Sequence, residues 1–134
     1  MIGSKIDTVL LVDDNPDDLF INRLVVESSC SGCRILEFDY GRDALRALES
    51  EGESLGRSIV FLDINMPRMN GFEFVELFGK LPEAVKGDMR IVMLTTSLSQ
   101  DDKLRADRMG GICRFVQKPL SISGFERLRG ELFR

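Results

Sequence analysis

Five short apolar segments rich in β-branched residues recur along this chain, and stretches with helical periodicity separate them. This alternation is typical of repeated βα units around a parallel sheet. The predicted strands are residues 8–12, 34–38, 58–62, 90–94 and 113–116. The first, third and fourth are almost continuously apolar, as expected of strands covered on both faces, whereas the second alternates and fits an edge. The pattern predicts an α/β fold with a doubly wound, five-stranded parallel sheet.

Five helices are expected between and after these strands, and the first has the clearest start. Asn15 can cap it, and Pro16 suits the first helical position. Asp17 and Asp18 favour the positive end of the helix dipole. We expect its buried stripe to be formed by Phe20, Ile21, Leu24 and Val25. The other helices are expected at residues 42–49, after Asn70-Gly71 with Phe72, Val75 and Phe78 buried, at 99–109, and at 121–133 with Ile122, Phe125, Leu128 and Leu132 buried.

The fourth predicted helix differs from the others in its few apolar side chains. It begins with a capping pattern at residues 99–102, but Leu104, Ala106 and Met109 are its only apolar anchors. We therefore expect it to be loosely held. No internal repeat or Pro-rich linker divides the chain, and the loop at 51–57 is too short for a boundary. Residues 1–134 are expected to form one domain.

The charge balance argues against nucleic acid as a partner. The net charge is −4, the isoelectric point is near 4.9, and lysines and arginines are scattered rather than clustered. The longest apolar runs fall far short of the roughly twenty residues that a membrane span needs. The first five residues also lack the apolar segment of a signal peptide. We expect a cytoplasmic protein that binds neither nucleic acid nor membrane.

Three cysteines, Cys30, Cys33 and Cys113, form an odd set that argues against a secreted disulfide framework. The spacing of Cys30 and Cys33 is compatible with zinc or redox chemistry. However, the chain has no histidine and only one further cysteine, so four soft zinc ligands cannot be assembled. We interpret the pair as a turn that contains incidental thiols, and no function is assigned to them.

Acidic residues follow two of the buried strands. Asp13 and Asp14 come directly after the first strand, and Asp63 comes directly after the third. In open parallel sheets this carboxyl edge is where ligands bind, especially where the strand order reverses. Converging carboxylates repel one another unless a cation neutralises them, and hard oxygen ligands favour Mg²⁺, for which Mn²⁺ can substitute. Alternatively, Asp13 and Asp14 only cap the first helix.

A hydroxyl group and an ammonium group are expected at the same edge. Thr95 ends the fourth strand, and Lys118, followed by Pro119, ends the fifth. The oxygens of a phosphoryl group need such donors and positive charge. Asp63 is the natural nucleophile, since a carboxylate can form an acyl phosphate while the other acids hold the metal. The combination therefore indicates phosphoryl transfer to Asp63.

Over essentially its whole length the chain resembles the receiver domain of two-component response regulators. The resemblance rests on residues 11–15 (LVDDN), 62–67 (LDINMP), 70–71 (NG), 93–96 (MLTT) and 115–119 (FVQKP). It implies a flavodoxin-like sheet with strand order 2-1-3-4-5 and five helices. It also implies no enzymatic activity beyond the domain's own phosphorylation and dephosphorylation.

The resemblance further implies a role for each residue of the motifs. Asp63 would be the phosphoacceptor, while Thr95 and Lys118 would hold the phosphoryl oxygens. Asp13, Asp14, Asp63 and the backbone carbonyl of Asn65 would bind Mg²⁺. Phe115 would turn inward with Thr95 as a switch; the alternative is an ordinary core phenylalanine.

The implied partners are a sensor histidine kinase or histidine phosphotransfer protein and an unknown downstream protein. The implied oligomeric state is a monomer or a phosphorylation-linked dimer. The Thr-Thr-Ser run at 95–97 and the Asn-Pro-Asp-Asp start at 15–18 resemble stand-alone receivers, some of them associated with bacterial photoreceptor kinases. If the chain is full length, its output is expected to be protein contact.

Thr96 departs from the family pattern, in which this position is usually very small. Its branched side chain is expected to narrow access to the acyl phosphate and so to affect the lifetime of the phosphorylated state.

Two other functions fit part of the pattern. Phosphatases of the haloacid-dehalogenase type also use a strand-end aspartate, magnesium, a hydroxyl and a lysine. Their nucleophile lies on the first strand in an Asp-x-Asp arrangement and they normally carry a cap, neither of which is found here. A phosphorylation-independent scaffold typically lacks the phosphoacceptor, a metal-binding acid or the lysine, and this chain retains Asp63, Asp13, Asp14 and Lys118.

Overall fold

Five parallel strands form one sheet in the order β2-β1-β3-β4-β5 in the computed structural model, which describes residues 5–96 and 99–133. The strands are β1 (Thr8–Val12), β2 (Arg34–Phe38), β3 (Ser58–Asp63), β4 (Met89–Thr95) and β5 (Arg114–Gln117). All four strand pairings are parallel. The predicted fold class and strand order are confirmed, and the strand bounds differ from the predicted ones by one residue at most.

Burial of the strands explains why their sequences differ. Every residue of β1 and β3 is buried, which requires apolar side chains on both faces of the sheet. By contrast, β2 lies at an edge and its residues are exposed or only partly buried. Because neighbouring residues of a strand point to opposite faces, each central strand contributes to two separate cores.

Six helices are present among the described residues, five of them at the predicted places. They are α1 (Pro16–Ser29), α2 (Gly41–Glu51), α3 (Gly71–Phe78), α4 (Glu83–Lys86), α5 (Gln100–Met109) and α6 (Ile122–Leu132). The single-turn helix α4 and a 3₁₀ turn at Gly52–Leu55 were not predicted, because such short elements have too little periodicity to be recognised. Within the described part of the chain, no helix is long and apolar enough to cross a membrane.

The helices cover both faces of the sheet. Leu19 and Val26 of α1 and Phe125 of α6 pack on one face, around Phe61 of β3. Residues of α2, α3, α4 and α5 pack on the other face, around Leu62. This is the doubly wound arrangement in which a ligand site forms at the carboxyl edge where the strand order reverses.

The buried stripe predicted for α1 is wrong. Phe20, Ile21 and Leu24 are exposed, and Val25 is only partly buried. The helix instead buries Leu19, Asn22 and Val26, which have the i, i+3, i+7 spacing of one face. The sequence has apolar residues on both of these neighbouring helix faces, so it does not by itself show which face is buried. The prediction that Ile122 of α6 is buried is also wrong, since this first residue of the helix is half exposed.

Helix α5 is weakly anchored, as predicted. Ala106 is its only buried residue, while Leu104 and Met109 are 44% and 36% exposed. The Ser99 side chain caps the helix by accepting a hydrogen bond from the backbone NH of Asp102 at 3.0 Å. The helix is therefore fixed at its start but contributes little apolar surface to the core.

The interpretation of Cys30 and Cys33 as incidental thiols is contradicted. The two residues form a disulfide across the turn that follows α1, with their Cα atoms 5.5 Å apart. Cys113 is a free, partly exposed thiol. Since Cys30 immediately follows α1, the disulfide ties the end of this helix to the residue that precedes β2.

Candidate phosphoacceptor site

Asp13, Asp14 and Asp63 meet at the carboxyl edge of the sheet. Strands β1 and β3 are neighbours with Val12 paired to Leu62, so the next residues, Asp13 and Asp63, emerge side by side. One carboxylate oxygen from each of the three acids lies within 4.8 Å of the others. The predicted convergence of these acids, made from strand ends alone, is therefore reproduced by the fold.

The three carboxylates differ in exposure. Asp13 and Asp63 are buried, whereas Asp14 is exposed. The Oδ1 atom of Asp13 accepts a hydrogen bond from the backbone NH of Asn15 at 2.9 Å. The side chain of Asn15 in turn accepts from the first NH groups of α1, so the helix is capped by Asn15 rather than by the acids. The alternative that Asp13 and Asp14 serve only to cap α1 is therefore not supported.

Burial and mutual repulsion make this edge costly when its acids are ionised. The pKa of Asp63 is raised to about 6, mainly by burial and also by the charge of Asp13, while Lys118 acts in the opposite direction. Burial likewise raises the pKa of Asp13, against the hydrogen bond from Lys118. A bound cation would relieve the repulsion, and a set of hard oxygen donors with one exposed member fits Mg²⁺, which keeps several of its waters.

Lys118 reaches the same edge from the end of β5. Its backbone NH donates to the carbonyl of Thr95 at 2.7 Å, which extends the pairing of β4 and β5 by one residue. Its Nζ atom lies 2.8 Å from Asp13 Oδ2, 2.8 Å from Asp18 Oδ2 and 3.3 Å from Asp63 Oδ1. Burial lowers the pKa of Lys118, but the hydrogen bonds to Asp13 and Asp18 outweigh this effect and raise it.

Asp18 is a contact of the site that the sequence reasoning missed. It was interpreted only as an acid that complements the dipole of α1. As the third residue of that helix, it projects its side chain back toward the helix start, because helical side chains lean toward the N-terminus. Its place one turn after the acid pair, and the presence of Lys118, are the signals from which this contact could have been found.

Thr95 is the last residue of β4 and is buried. Asp63 pairs with Leu94, the residue before it, so Thr95 extends one step beyond Asp63 along the same edge. Thr96 is exposed, and its carbonyl accepts a hydrogen bond from the Gln117 side chain at 3.3 Å. Ser97, the last residue of the Thr-Thr-Ser run, lies outside the described residues.

Phe115 lies on β5, beside Met93 of β4. Its side chain is partly buried and packs against the core under α2, α3 and α5. An aromatic residue at this position has core neighbours on one side and some exposure on the other. Its role as a switch remains a prediction.

Asn65 lies in the loop after β3 and is exposed. The backbone NH of Gly71 bonds to the Ile64 carbonyl at 2.8 Å, which brings the start of α3 against this loop. A Cβ atom on Gly71 would lie 2.8 Å from the Asp63 carbonyl oxygen, so only glycine permits this approach. Asn70 caps α3 in a reciprocal capping box with Glu73. The Asn70-Gly71 pair therefore fixes the loop that carries Asn65.

A doubly wound sheet with three acids and a lysine at its carboxyl edge defines a class of signalling domains. The response regulator receiver domain family matches residues 9–128, and the chain belongs to this family. Its members are domains of two-component signalling proteins.

Solved structures of similar proteins share both fold and extent. A two-component response regulator from Cytophaga hutchinsonii superimposes with a TM-score of 0.83 at 31% identity, covering 96% of this chain and 97% of that one. The bacteriophytochrome response regulator AtBRR has a TM-score of 0.73 at 26% identity, with coverages of 92% and 89%.

Among characterised proteins, the sensor histidine kinase GacS of Pseudomonas protegens is 28% identical over 120 residues, or 90% of this chain. The chain spans only 12% of the length of that kinase, so the similarity concerns one region of a much larger protein.

Proposed function

We propose that this chain is a phosphorylation-dependent receiver whose Asp63 accepts a phosphoryl group from a sensor histidine kinase or a histidine phosphotransfer protein. The observation that carries the proposal is the position of Asp63. It is buried at the carboxyl edge, clustered with Asp13 and Asp14, and paired with the Lys118 ammonium at 3.3 Å. The residues that we propose as nucleophile, cation ligands and oxyanion donor therefore lie close to one another, which supports the proposal.

The proposed reaction moves a phosphoryl group from a phosphohistidine to Asp63. One oxygen of the Asp63 carboxylate forms a bond to phosphorus as the bond between phosphorus and the imidazole nitrogen breaks, and the imidazole gains a proton from solvent. The Lys118 ammonium and the Thr95 hydroxyl would donate to the phosphoryl oxygens. Hydrolysis of the acyl phosphate by water would later return Asp63 and release inorganic phosphate.

Asp13, Asp14, Asp63 and the backbone carbonyl of Asn65 would hold Mg²⁺, and Mn²⁺ can substitute. When bound, the ion neutralises charge on the acids and on the phosphoryl oxygens. The chain's own contribution is to hold the ligands on the rigid ends of β1 and β3 and on the loop that Asn70 and Gly71 fix.

The proposed output is a change in a protein-binding surface formed by α5, β5 and α6. Thr95 would move toward the phosphoryl group and Phe115 would turn inward. Rearrangement of α5 would cost little, because the helix has a single buried residue and so loses little apolar packing when it moves. An unknown downstream protein would bind this surface, and the chain would act in the cytoplasm as one domain over residues 1–134, as a monomer or a phosphorylation-linked dimer.

The test is incorporation of phosphate from acetyl phosphate in the presence of Mg²⁺, followed by intact mass. The wild-type protein should gain one phosphoryl group and Asp63→Asn should gain none. Asp17→Asn, an exposed acid close in sequence to the site, is the matched control and should be phosphorylated normally.

Other outcomes would contradict the proposal in distinguishable ways. Undiminished acid-labile phosphate on Asp63→Asn would remove Asp63 as the acceptor. Catalytic turnover of diverse phosphate esters would indicate a phosphatase. Failure of the wild-type protein to accept a phosphoryl group from either acetyl phosphate or a phosphorylated kinase would indicate a phosphorylation-independent scaffold.

A further inference from the structure

Lys118 is shared between the phosphoacceptor and an acid outside the metal cluster. Its two short contacts, both 2.8 Å, are to Asp13 and to Asp18, while Asp63 is 3.3 Å away. Asp18 belongs to α1 and is not among the three acids whose oxygens converge. The lysine therefore lies closer to an acid of the first helix than to the residue that it is proposed to serve.

The Lys118 ammonium donates hydrogen bonds to Asp13 and Asp18, both at 2.8 Å, whereas its 3.3 Å contact with Asp63 is an ion pair. A phosphoryl oxygen on Asp63 would have to draw the ammonium group toward itself, against the attraction of Asp13 and Asp18. Asp13 would share its charge with the bound cation, which weakens its hold on the lysine. Asp18 has no such competing ligand among the contacts of the described residues, and it is therefore the stronger competitor.

We infer that Asp18 is a positioning residue that holds Lys118 on the α1 side of the site and limits its recruitment by phosphoryl oxygens. This inference rests on the proposed function. Asp18 and the phosphoryl group act on the same ammonium in opposite directions, so Asp18 stabilises the unphosphorylated arrangement. The balance between the two states is then set partly by one acid on the first helix.

The substitution that tests this is Asp18→Asn, which keeps an oxygen acceptor but removes the charge. It also makes the site one unit less negative for an incoming anion. The Asp18 side chain is 29% exposed, so solvent weakens its pairing with Lys118. A gain of roughly two- to five-fold in affinity for an anionic phosphoryl analogue is the size expected of such a partly screened pair.

Asp17→Asn is the matched control because it removes the same charge from the same first turn of α1. The Asp17 side chain is exposed and makes no contact with Lys118 among those that the structure describes. Any general effect of helix dipole or net charge should therefore appear equally in both variants. An effect transmitted through the lysine should appear only in Asp18→Asn.

The experiment is a titration of the magnesium-loaded protein with beryllofluoride, a mimic of the acyl phosphate, monitored by NMR with ¹⁵N-labelled lysine. Asp18→Asn should bind the mimic about two- to five-fold more tightly, and it should shift the ammonium resonance of Lys118 before any mimic is added. Asp17→Asn should do neither. In a Lys118→Ala background, Asp18→Asn should lose its effect on affinity, since the residue through which it acts is gone.

Several results would overturn the inference while leaving the proposed function intact. Wild-type and Asp18→Asn proteins could bind the mimic equally, Asp17→Asn could reproduce the gain, or the gain could persist without Lys118. Failure of the wild-type protein to bind beryllofluoride would refute the proposed function, and this inference with it. One titration series therefore separates the two failures.

Discussion

Asp63→Asn should stabilise the metal-free protein at neutral pH, although it removes the proposed phosphoacceptor. Burial is the main reason that the pKa of Asp63 is raised from 3.8 to about 6, so the folded protein binds a proton there more tightly than the unfolded chain does. Above that pKa the folded state must hold a buried carboxylate beside Asp13. Asparagine is similar in size but cannot ionise, so the variant avoids this cost.

The size of the effect follows from the difference between the two pKa values. Each pKa unit corresponds to about 1.4 kcal/mol, so a difference of about two units gives an upper bound of roughly 3 kcal/mol at pH 7. The pKa of about 6 in the folded protein already includes the attraction between Asp63 and Lys118, so losing this ion pair needs no separate correction. We expect the free energy of unfolding to rise by about 2 kcal/mol in the variant, within this bound.

The stability difference between Asp63→Asn and the wild-type protein should depend on pH in one direction only. A raised folded pKa contributes stability that is fully present below the unfolded value of 3.8 and is lost as pH rises through about 6. Urea denaturation of both proteins in excess chelator should therefore show the advantage of Asp63→Asn at pH 7 and its disappearance near pH 4. Added Mg²⁺ should reduce the advantage, because it stabilises the wild-type carboxylate by mass action.

Two results would refute this reasoning. Equal stability of the two proteins at pH 7 without metal would mean that the Asp63 carboxylate is well solvated or fully compensated by Lys118. An advantage that grew as the pH fell would mean that the carboxylate stabilises the fold, which is the opposite linkage.

Three further predictions concern the metal, the acyl phosphate and the output surface. Asp14→Ala should lose Mg²⁺ binding and phosphorylation together, measured by metal titration and intact mass, and full phosphorylation in excess chelator would contradict the metal assignment. Thr96→Ala should shorten the phosphorylated lifetime, measured as phosphate release, because the branched side chain would no longer obstruct water; an unchanged or longer lifetime would mean that Thr96 points elsewhere. Hydrogen exchange after phosphorylation or beryllofluoride binding should change more in α5 and β5 than in α2, and equal responses of α2 and α5 would exclude the proposed surface.

Most of the fold could be predicted from the pattern of apolar residues, because β1 and β3 are almost continuously apolar and are covered on both faces of the sheet. A run such as 58–62 has no polar residue except at its start, and its short length and β-branched residues favour a strand buried on both faces over a buried helix. Once the strands are placed, the sheet edge brings Asp13 and Asp63 together without any further information. The core of the candidate site could therefore be predicted from strand ends alone.

Two of the predictions that were wrong concern the buried face of α1 and the free thiols of Cys30 and Cys33. In α1 the sequence offers Phe20, Ile21 and Leu24 on one side and Leu19 and Val26 on another, and only the sheet decides which side is buried. The Cys30–Cys33 disulfide depends on how the chain turns between α1 and β2, which spacing does not determine. Both depend on tertiary structure rather than on periodicity.

The acids of the site are held by tightly packed strands while α5 is weakly packed, and this difference explains how the proposed phosphorylation of Asp63 would act on the output surface. Asp13 directly follows β1 and Asp63 ends β3, and every residue of these two strands is buried, so the two repelling acids are held on rigid backbone and cannot easily move apart. Helix α5, which follows Thr95 by a short connection, has one buried residue and can move at little cost. A change in charge at Asp63 should thus be absorbed by Lys118, Thr95 and the weakly packed elements beyond them. Because the response is limited to the difference in phosphoryl contacts between the two states, it should be partial and should follow the occupancy of Asp63.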